Sequence, residues 1–128
     1  MSWREWSVPR FTRRMARRHP ELEGQVLWPD ITRFCEREGI LLRRAVISDD
    51  ARLLRFGQHV CVQLSRTLNE SAATVFAMHE LCHFWRDDPG EPCYYADAHS
   101  TDPREEFADI FAWYVTSPDR PALKERPW

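Results

Sequence analysis

The chain has 128 residues, of which 43% are hydrophobic and 30% charged, and its formal net charge is −2. This length fits one domain that can bury a core without disulfide help, and the hydrophobic content excludes an intrinsically disordered chain. The near balance of charge gives no overall attraction to nucleic acid or to membranes, and no stretch approaches the roughly eighteen apolar residues of a membrane span.

The first predicted element is a basic helix over residues 9–19, within an N-terminal arm that ends near residue 25. Its arginines share one helical face and are Arg10, Arg13, Arg14, Arg17 and Arg18. Like charges four residues apart disfavour an isolated helix. These arginines, the arginine stripe, therefore require carboxylates opposite them. The stripe is either a solvated face with internal ion pairs or a surface for an acidic partner.

A second helix and three strands are predicted next. The helix begins at Pro29–Asp30 and ends at Gly39, so it covers residues 30–38. The strands are predicted over residues 40–47, 52–56 and 59–65. In the last of them, Val60, Val62 and Leu64 alternate with more polar positions, which predicts a small sheet with one buried face.

Two further helices follow the strands. Thr67 and Glu70 form a capping-box pattern, which predicts a helix that continues to about Arg86. After an irregular loop over residues 91–101, Asp102 is the predicted N-cap and Pro103 the first residue of a last helix. This helix ends at Ser117–Pro118 and directs four apolar side chains into the core: Phe107, Ile110, Phe111 and Tyr114. Residues 119–128 are expected to form a loosely held tail.

The cysteines are widely spaced and include no CxxC pair; they are Cys35, Cys61, Cys82 and Cys93. The first twenty residues contain no apolar core of a secretory signal. We therefore expect reduced thiols in a cytoplasmic protein. The first three cysteines are predicted to be small core residues, because free cysteine packs as a hydrophobe does.

The strongest chemical signal is the string His79-Glu80-Leu81-Cys82-His83. Histidines four residues apart lie on one helical face, so both imidazoles can reach one metal ion. A zinc ion lowers the pKa of a bound water from 15.7 to about 7. Glu80 is rotated by about 100° from His79 and can take the proton from that water as general base.

A catalytic zinc site needs a third protein ligand, and two candidates are kept. The longer motif with a third histidine six residues after His83 is absent, because position 89 is proline. Glu105 and Asp109 share a helical face, so Glu105 could ligate while Asp109 accepts a hydrogen bond from a ligand histidine. Glu106 points elsewhere and is interpreted as a surface acid. The rival is His99 in the loop, as a ligand or a transition-state stabiliser.

Three segments in order resemble the ImmA/IrrE family of metallopeptidases: the strand at residues 57–64, the HELCH helix and the downstream EEFADIFAWYVTSP. The family pattern E-x-x-A-[ND]-x-F-A, which ends near a proline, falls here on Glu105, Ala108, Asp109, Phe111, Ala112 and Pro118. The resemblance covers roughly residues 30–118. Cys82 departs from it, since the family usually has a small residue such as glycine or alanine there.

The resemblance implies a compact α+β fold of the minimal zincin type. In it, a small β-sheet packs with the HExxH helix and with a following helix that bears a ligand. It implies zinc bound by His79, His83 and Glu105, as in a gluzincin-like enzyme, and action on a regulatory protein, often a helix-turn-helix repressor. No DNA-binding helix-turn-helix is recognised in this chain, so such a repressor would be a separate protein. A second, weaker resemblance is to the SprT-like metalloproteases, which use a later histidine.

The sequence therefore predicts a zinc metallopeptidase that hydrolyses a peptide bond in a specific regulatory protein. Two alternatives are a zinc-dependent binding module that cleaves nothing and a component of a toxin–antitoxin or phage regulatory pair. Metal binding alone does not require Glu80, which favours the enzyme. Neither direct nucleic-acid binding nor membrane association is expected.

Overall fold

The structure is a computed structural model that describes residues 3–87 and 102–120, with side chains from residue 7 onward. Within these ranges the elements are α1 (Trp3–Met15), a short 3₁₀ helix (Pro20–Glu23), α2 (Trp28–Glu38), β1 (Leu41–Ala45), β2 (Ala51–Phe56), β3 (His59–Ser65), α3 (Glu70–Trp85) and α4 (Pro103–Thr116). The fold class is α+β, as predicted. The predicted loop over residues 91–101 lies outside the described residues.

The sheet has the order β1-β3-β2, with β1 parallel and β2 antiparallel to the central β3. Val62 pairs with Leu42 on one side and with Leu53 on the other. The bounds of β3 are as predicted, but the prediction of a single buried face is wrong at Cys61, which is only 5% exposed. A central strand can be covered on both faces, and alternation in the sequence does not reveal this. Helix α3 packs against β2 and β3.

Local side-chain chemistry sets where the helices around the sheet begin and end. Gly39 ends α2 with a left-handed backbone at φ 69°, as glycine permits. The predicted capping box at the start of α3 is wrong, because Asn69 is the N-cap and its side chain accepts a hydrogen bond from the Ala72 N–H at 2.8 Å. The Thr67 hydroxyl instead lies 2.8 Å from that of Ser65, within the turn that follows β3. Asp102 caps α4 as predicted.

Helix α1 differs from its prediction in both bounds, since it begins six residues earlier than residue 9 and ends at Met15. Proline is favoured in the first turn of a helix, yet Pro9 lies inside this one. The buried Phe11 packs edge-on against Phe107 and Phe111 of α4, with ring centroids 5.5 and 5.3 Å apart. Helix α1 is therefore part of the same hydrophobic core as α4.

The rest of the core follows the sequence prediction closely. Phe107 and Phe111 are buried, while Ile110 and Tyr114 are partly buried. Three cysteines are buried free thiols, as predicted: Cys35, Cys61 and Cys82; Cys93 lies outside the described residues. Of the helices in the described part of the chain, none combines the length and apolar character needed to cross a membrane.

The expected loose tail is held at its start. The Arg120 guanidinium donates hydrogen bonds to the backbone carbonyls of Leu22 and Gly24. The segment after α4 is therefore tied to the 3₁₀ helix at residues 20–23. Residues 121–128 of the predicted tail lie outside the described residues.

Candidate metal centre

Helix α3 buries the three polar residues of the HExxH motif. His79, Glu80 and His83 are 7%, 1% and 2% exposed. The helix can enter the core because its other residues in this stretch are apolar, and Met78 and Leu81 are fully buried. Burying imidazoles and a carboxylate in such a place is costly unless they are partnered or bind a metal ion.

Helix α4 brings Glu105 to the two histidines. Its Oε2 lies 3.0 Å from His79 Nε2 and its Oε1 lies 2.8 Å from His83 Nε2. The two Nε2 atoms are 3.2 Å apart. Glu105 sits in the first turn of α4, where the helix N-terminus favours a negative charge. The structure thus brings together the three residues that the sequence predicted as ligands.

These three side chains fit a metal ion. Each offers one ligand atom, and all three atoms lie within 4.8 Å of one another. Around a tetrahedral zinc with bonds near 2.05 Å, neighbouring ligand atoms lie about 3.3 Å apart, close to the 3.2 Å between the two Nε2 atoms. Two histidines and one glutamate form an established ligand set of catalytic zinc.

The electrostatics of the centre also favour a cation. Burial disfavours the charged form of His79, but hydrogen bonds to Asp109 and Glu105 outweigh it and raise the pKa of His79 to about 10. Burial likewise opposes ionisation of Glu105, yet its hydrogen bonds to both histidines lower its pKa. The surrounding carboxylates therefore stabilise positive charge at the point where the ligand atoms converge.

Asp109 contacts one of the two candidate ligand histidines. Its Oδ1 lies 2.8 Å from His79 Nδ1, although the side chain is 65% exposed. Because Asp109 accepts the Nδ1–H bond, Nε2 is the nitrogen that faces the centre and that can give up its proton to bind a metal ion, which is the usual support of a ligand histidine. The contact matches the predicted role. Glu106 is exposed, also as predicted.

Glu80 lies beside the ligand atoms without sharing in their hydrogen bonds. Its Oε2 is 3.9 Å from His79 Nε2, and no donor among the described residues is within hydrogen-bond distance of its buried Oε1. Burial is the main cause that raises the pKa of Glu80 to about 7. A carboxylate with an unpartnered oxygen and a pKa near neutrality suits a general base.

One predicted candidate cannot be placed and one neighbouring feature was missed. His99 lies in residues 88–101, outside the described residues. The missed feature is Arg86, whose guanidinium lies 4.0 Å from the ring centroid of Phe107. In the sequence Arg86 follows His83 by three residues and Phe107 follows Glu105 by two. Residues two apart on a helix point to opposite sides, so this contact lies on the side of α4 away from Glu105.

Comparison of the chain with known protein families, with curated proteins and with solved structures gives no match. The function is therefore inferred from the centre itself and from the motifs that form it.

Proposed function

We propose that the protein is a zinc-dependent metallopeptidase that cleaves a peptide bond in a specific regulatory protein. The observation that carries the proposal is the convergence of His79, His83 and Glu105, with Glu80 buried beside them. The resemblance of the same motifs to the ImmA/IrrE pattern favours a helix-turn-helix repressor as the substrate. Such a repressor would be encoded separately.

Each residue of the centre has a distinct task in peptide hydrolysis. Zinc at this site would polarise the scissile carbonyl and lower the pKa of the attacking water to about 7. Glu80 accepts the proton that the water loses as its oxygen bonds to the carbonyl carbon. Glu80 then returns this proton to the nitrogen that leaves when the C–N bond breaks. Asp109 keeps His79 in the tautomer that can ligate.

The state of Glu80 favours an enzyme over a binding module. A structural zinc site closes all its positions with protein ligands and gains nothing from an additional buried carboxyl. Glu80 is 1% exposed, and its Oε1 has no hydrogen-bond partner among the residues that the structure describes. A buried oxygen without a partner lowers the stability of a fold. Residues that lower stability in this way are typical of active sites, where the same group does chemical work.

The test compares Glu80→Gln with Glu70→Gln, a matched change at an exposed position on the same helix. Each purified protein is incubated with a repressor encoded beside its gene, and cleavage is followed together with zinc content. Zinc content should be equal in all three proteins, because no proposed ligand is changed. Cleavage should fall by about 10²–10⁴-fold in Glu80→Gln only, the usual contribution of a general base.

One result would contradict the peptidase proposal. If Glu80→Gln relieves repression in cells as well as the wild type does, and the repressor stays intact with both, the centre works by binding. The peptidase proposal would then be wrong.

A further inference from the structure

The arginine stripe of α1 divides into two parts in the structure. Arg18 turns toward α2, where its guanidinium lies 3.8 Å from the Glu38 carboxylate. The other members join Arg86 of α3 along an open groove with a volume of about 460 Å³; they are Arg10, Arg13, Arg14 and Arg17. Of the two interpretations of the stripe, an internal ion pair therefore applies to Arg18.

Three of the groove arginines are available to a ligand. Arg10, Arg14 and Arg17 are exposed. Across the side chains that the structure describes, no carboxylate oxygen lies within 4.0 Å of their guanidinium nitrogens. Arg10 and Arg14 are four residues apart on α1, and Arg17 lies in the turn that follows this helix. Their positive charges repel one another, and a bound anion would relieve that repulsion.

The groove and the metal centre lie at the same ends of α3 and α4. Arg86 is the C-cap of α3, three residues beyond His83, and Phe107 lies two residues beyond Glu105 near the start of α4. Residues two apart on a helix point to opposite sides, so the groove lies on the side of α4 away from the Glu105 carboxylate, where Phe11 of α1 packs on Phe107. The centre and the groove could therefore bind separate segments of one polypeptide.

The chemistry of the groove selects for carboxylates. Guanidinium groups bind carboxylates through paired, charge-assisted hydrogen bonds. Single-stranded nucleic acid would need exposed aromatic faces on which bases stack. The groove's two rings, Phe11 and Phe107, are each only 5% exposed, and they lie under the guanidinium groups of Arg14 and Arg86.

We propose that this groove binds an acidic segment of the protein substrate and so determines which protein is cleaved. That the bound segment belongs to a substrate rests on the proposed function, whereas binding of an acidic segment does not require hydrolysis. Arg10, Arg14 and Arg17 then have a specific task, which is to bind glutamate and aspartate side chains of the substrate.

The test measures binding in zinc-loaded Glu80→Gln protein, so that hydrolysis does not complicate it. The probe is a fluorescein-labelled peptide of alternating glutamate and glycine, compared with the same peptide carrying glutamine in place of glutamate. The groove variant carries Arg10→Gln, Arg14→Gln and Arg17→Gln. The matched control carries Arg33→Gln, Arg43→Gln and Arg66→Gln, which remove the same charge from residues that do not line the groove.

The groove variant should bind the glutamate peptide on the order of tenfold more weakly, since each exposed charge contact contributes little alone. The control should stay within about twofold of the unchanged protein, because its three substituted residues lie outside the groove. Raising the salt from about 0.1 M to about 1 M should also weaken binding, because the Debye length falls from about 10 Å to about 3 Å. Thermal unfolding followed by circular dichroism verifies that both variants fold. If the triple variant does not fold, the single variants Arg14→Gln and Arg17→Gln replace it.

Three results would overturn the inference. They are no binding of the glutamate peptide, equal losses in the groove variant and the control, and tighter binding of an oligothymidylate of equal charge. Failure of the cleavage test with Glu80→Gln would leave this binding result unaffected, so the two proposals fail separately.

Discussion

Replacing Asp109 by asparagine tests how much the centre depends on the orientation of His79. The substitution keeps an acceptor oxygen at the position that now lies 2.8 Å from His79 Nδ1, but it removes the negative charge. The imidazole should therefore stay in place while its basicity falls. We expect weaker zinc binding with an unchanged fold, because Asp109 lies on the surface of α4.

The expected size follows from the geometry of the contact. Removing the partner of a ligand histidine usually weakens metal binding by about 10–100-fold. The Asp109 side chain is 65% exposed, so solvent screens its charge and the effect should lie at the lower end. We therefore expect about tenfold weaker binding for Asp109→Asn. Asp109→Ala removes the acceptor as well and should approach about a hundredfold.

The assay is a competition titration of zinc against a chelating dye for the wild type and both variants. Asp119→Asn, at an exposed position beyond α4, is the control for a change of charge on the same surface. The reasoning is refuted if both Asp109 variants bind zinc within about twofold of the wild type, since outer partners normally contribute more than that.

Three further predictions follow from named contacts. Zinc affinity should fall by about tenfold for each unit that the pH is lowered below about 10. The reason is that zinc must displace the proton that His79 holds in the metal-free protein. Zinc titrations at several pH values measure this slope. Phe11→Ala should lower the free energy of unfolding in urea by about 3–5 kcal/mol, whereas Phe56→Ala, at a half-exposed ring, should cost far less. Burial lowers the pKa of His19, so the folded protein favours the neutral imidazole. The neutral form stabilises the fold above about pH 6.5, and this stabilisation is lost as the pH falls. Between pH 7.5 and 5.5 (roughly the range in which a histidine titrates), the wild type should therefore lose more stability than His19→Gln.

The parts of the fold that the sequence predicted are those set by local chemistry. The histidines of α3 share a face because they are four residues apart, and that spacing needs no tertiary contact. Asp102 and Pro103 specify the start of α4 in the same local way, which places Glu105 in the first turn. The distance from Glu105 to the histidines depends on how α3 and α4 pack, and for that the family resemblance supplied the expectation.

Two features of the fold were not predicted, namely the N-cap of α3 and the packing of α1 on α4. The first depends on which of two suitable N-cap residues is used, and the second depends on contacts between residues far apart in the sequence. Thr67 and Asn69 are both good N-cap residues, and the contact of Thr67 with the Ser65 hydroxyl leaves Asn69 as the cap. Phe11 meets Phe107 across almost the whole chain, so nothing near residue 11 reveals that α1 packs on α4. The groove lined by arginines depends on that packing. The sequence alone therefore left two interpretations of the arginine stripe, a solvated face with internal ion pairs or a surface for an acidic partner.

The most direct test of the account is the zinc content of the full chain and of three alanine variants. Metal analysis of the purified wild type should give one zinc per chain. Glu106→Ala changes the exposed neighbour of the proposed ligand on α4 and should keep that zinc, as should His99→Ala. Glu105→Ala should lose it, because the carboxylate that faces both histidines is gone. Retention of zinc in Glu105→Ala together with its loss in His99→Ala would contradict the account and make His99 the third ligand.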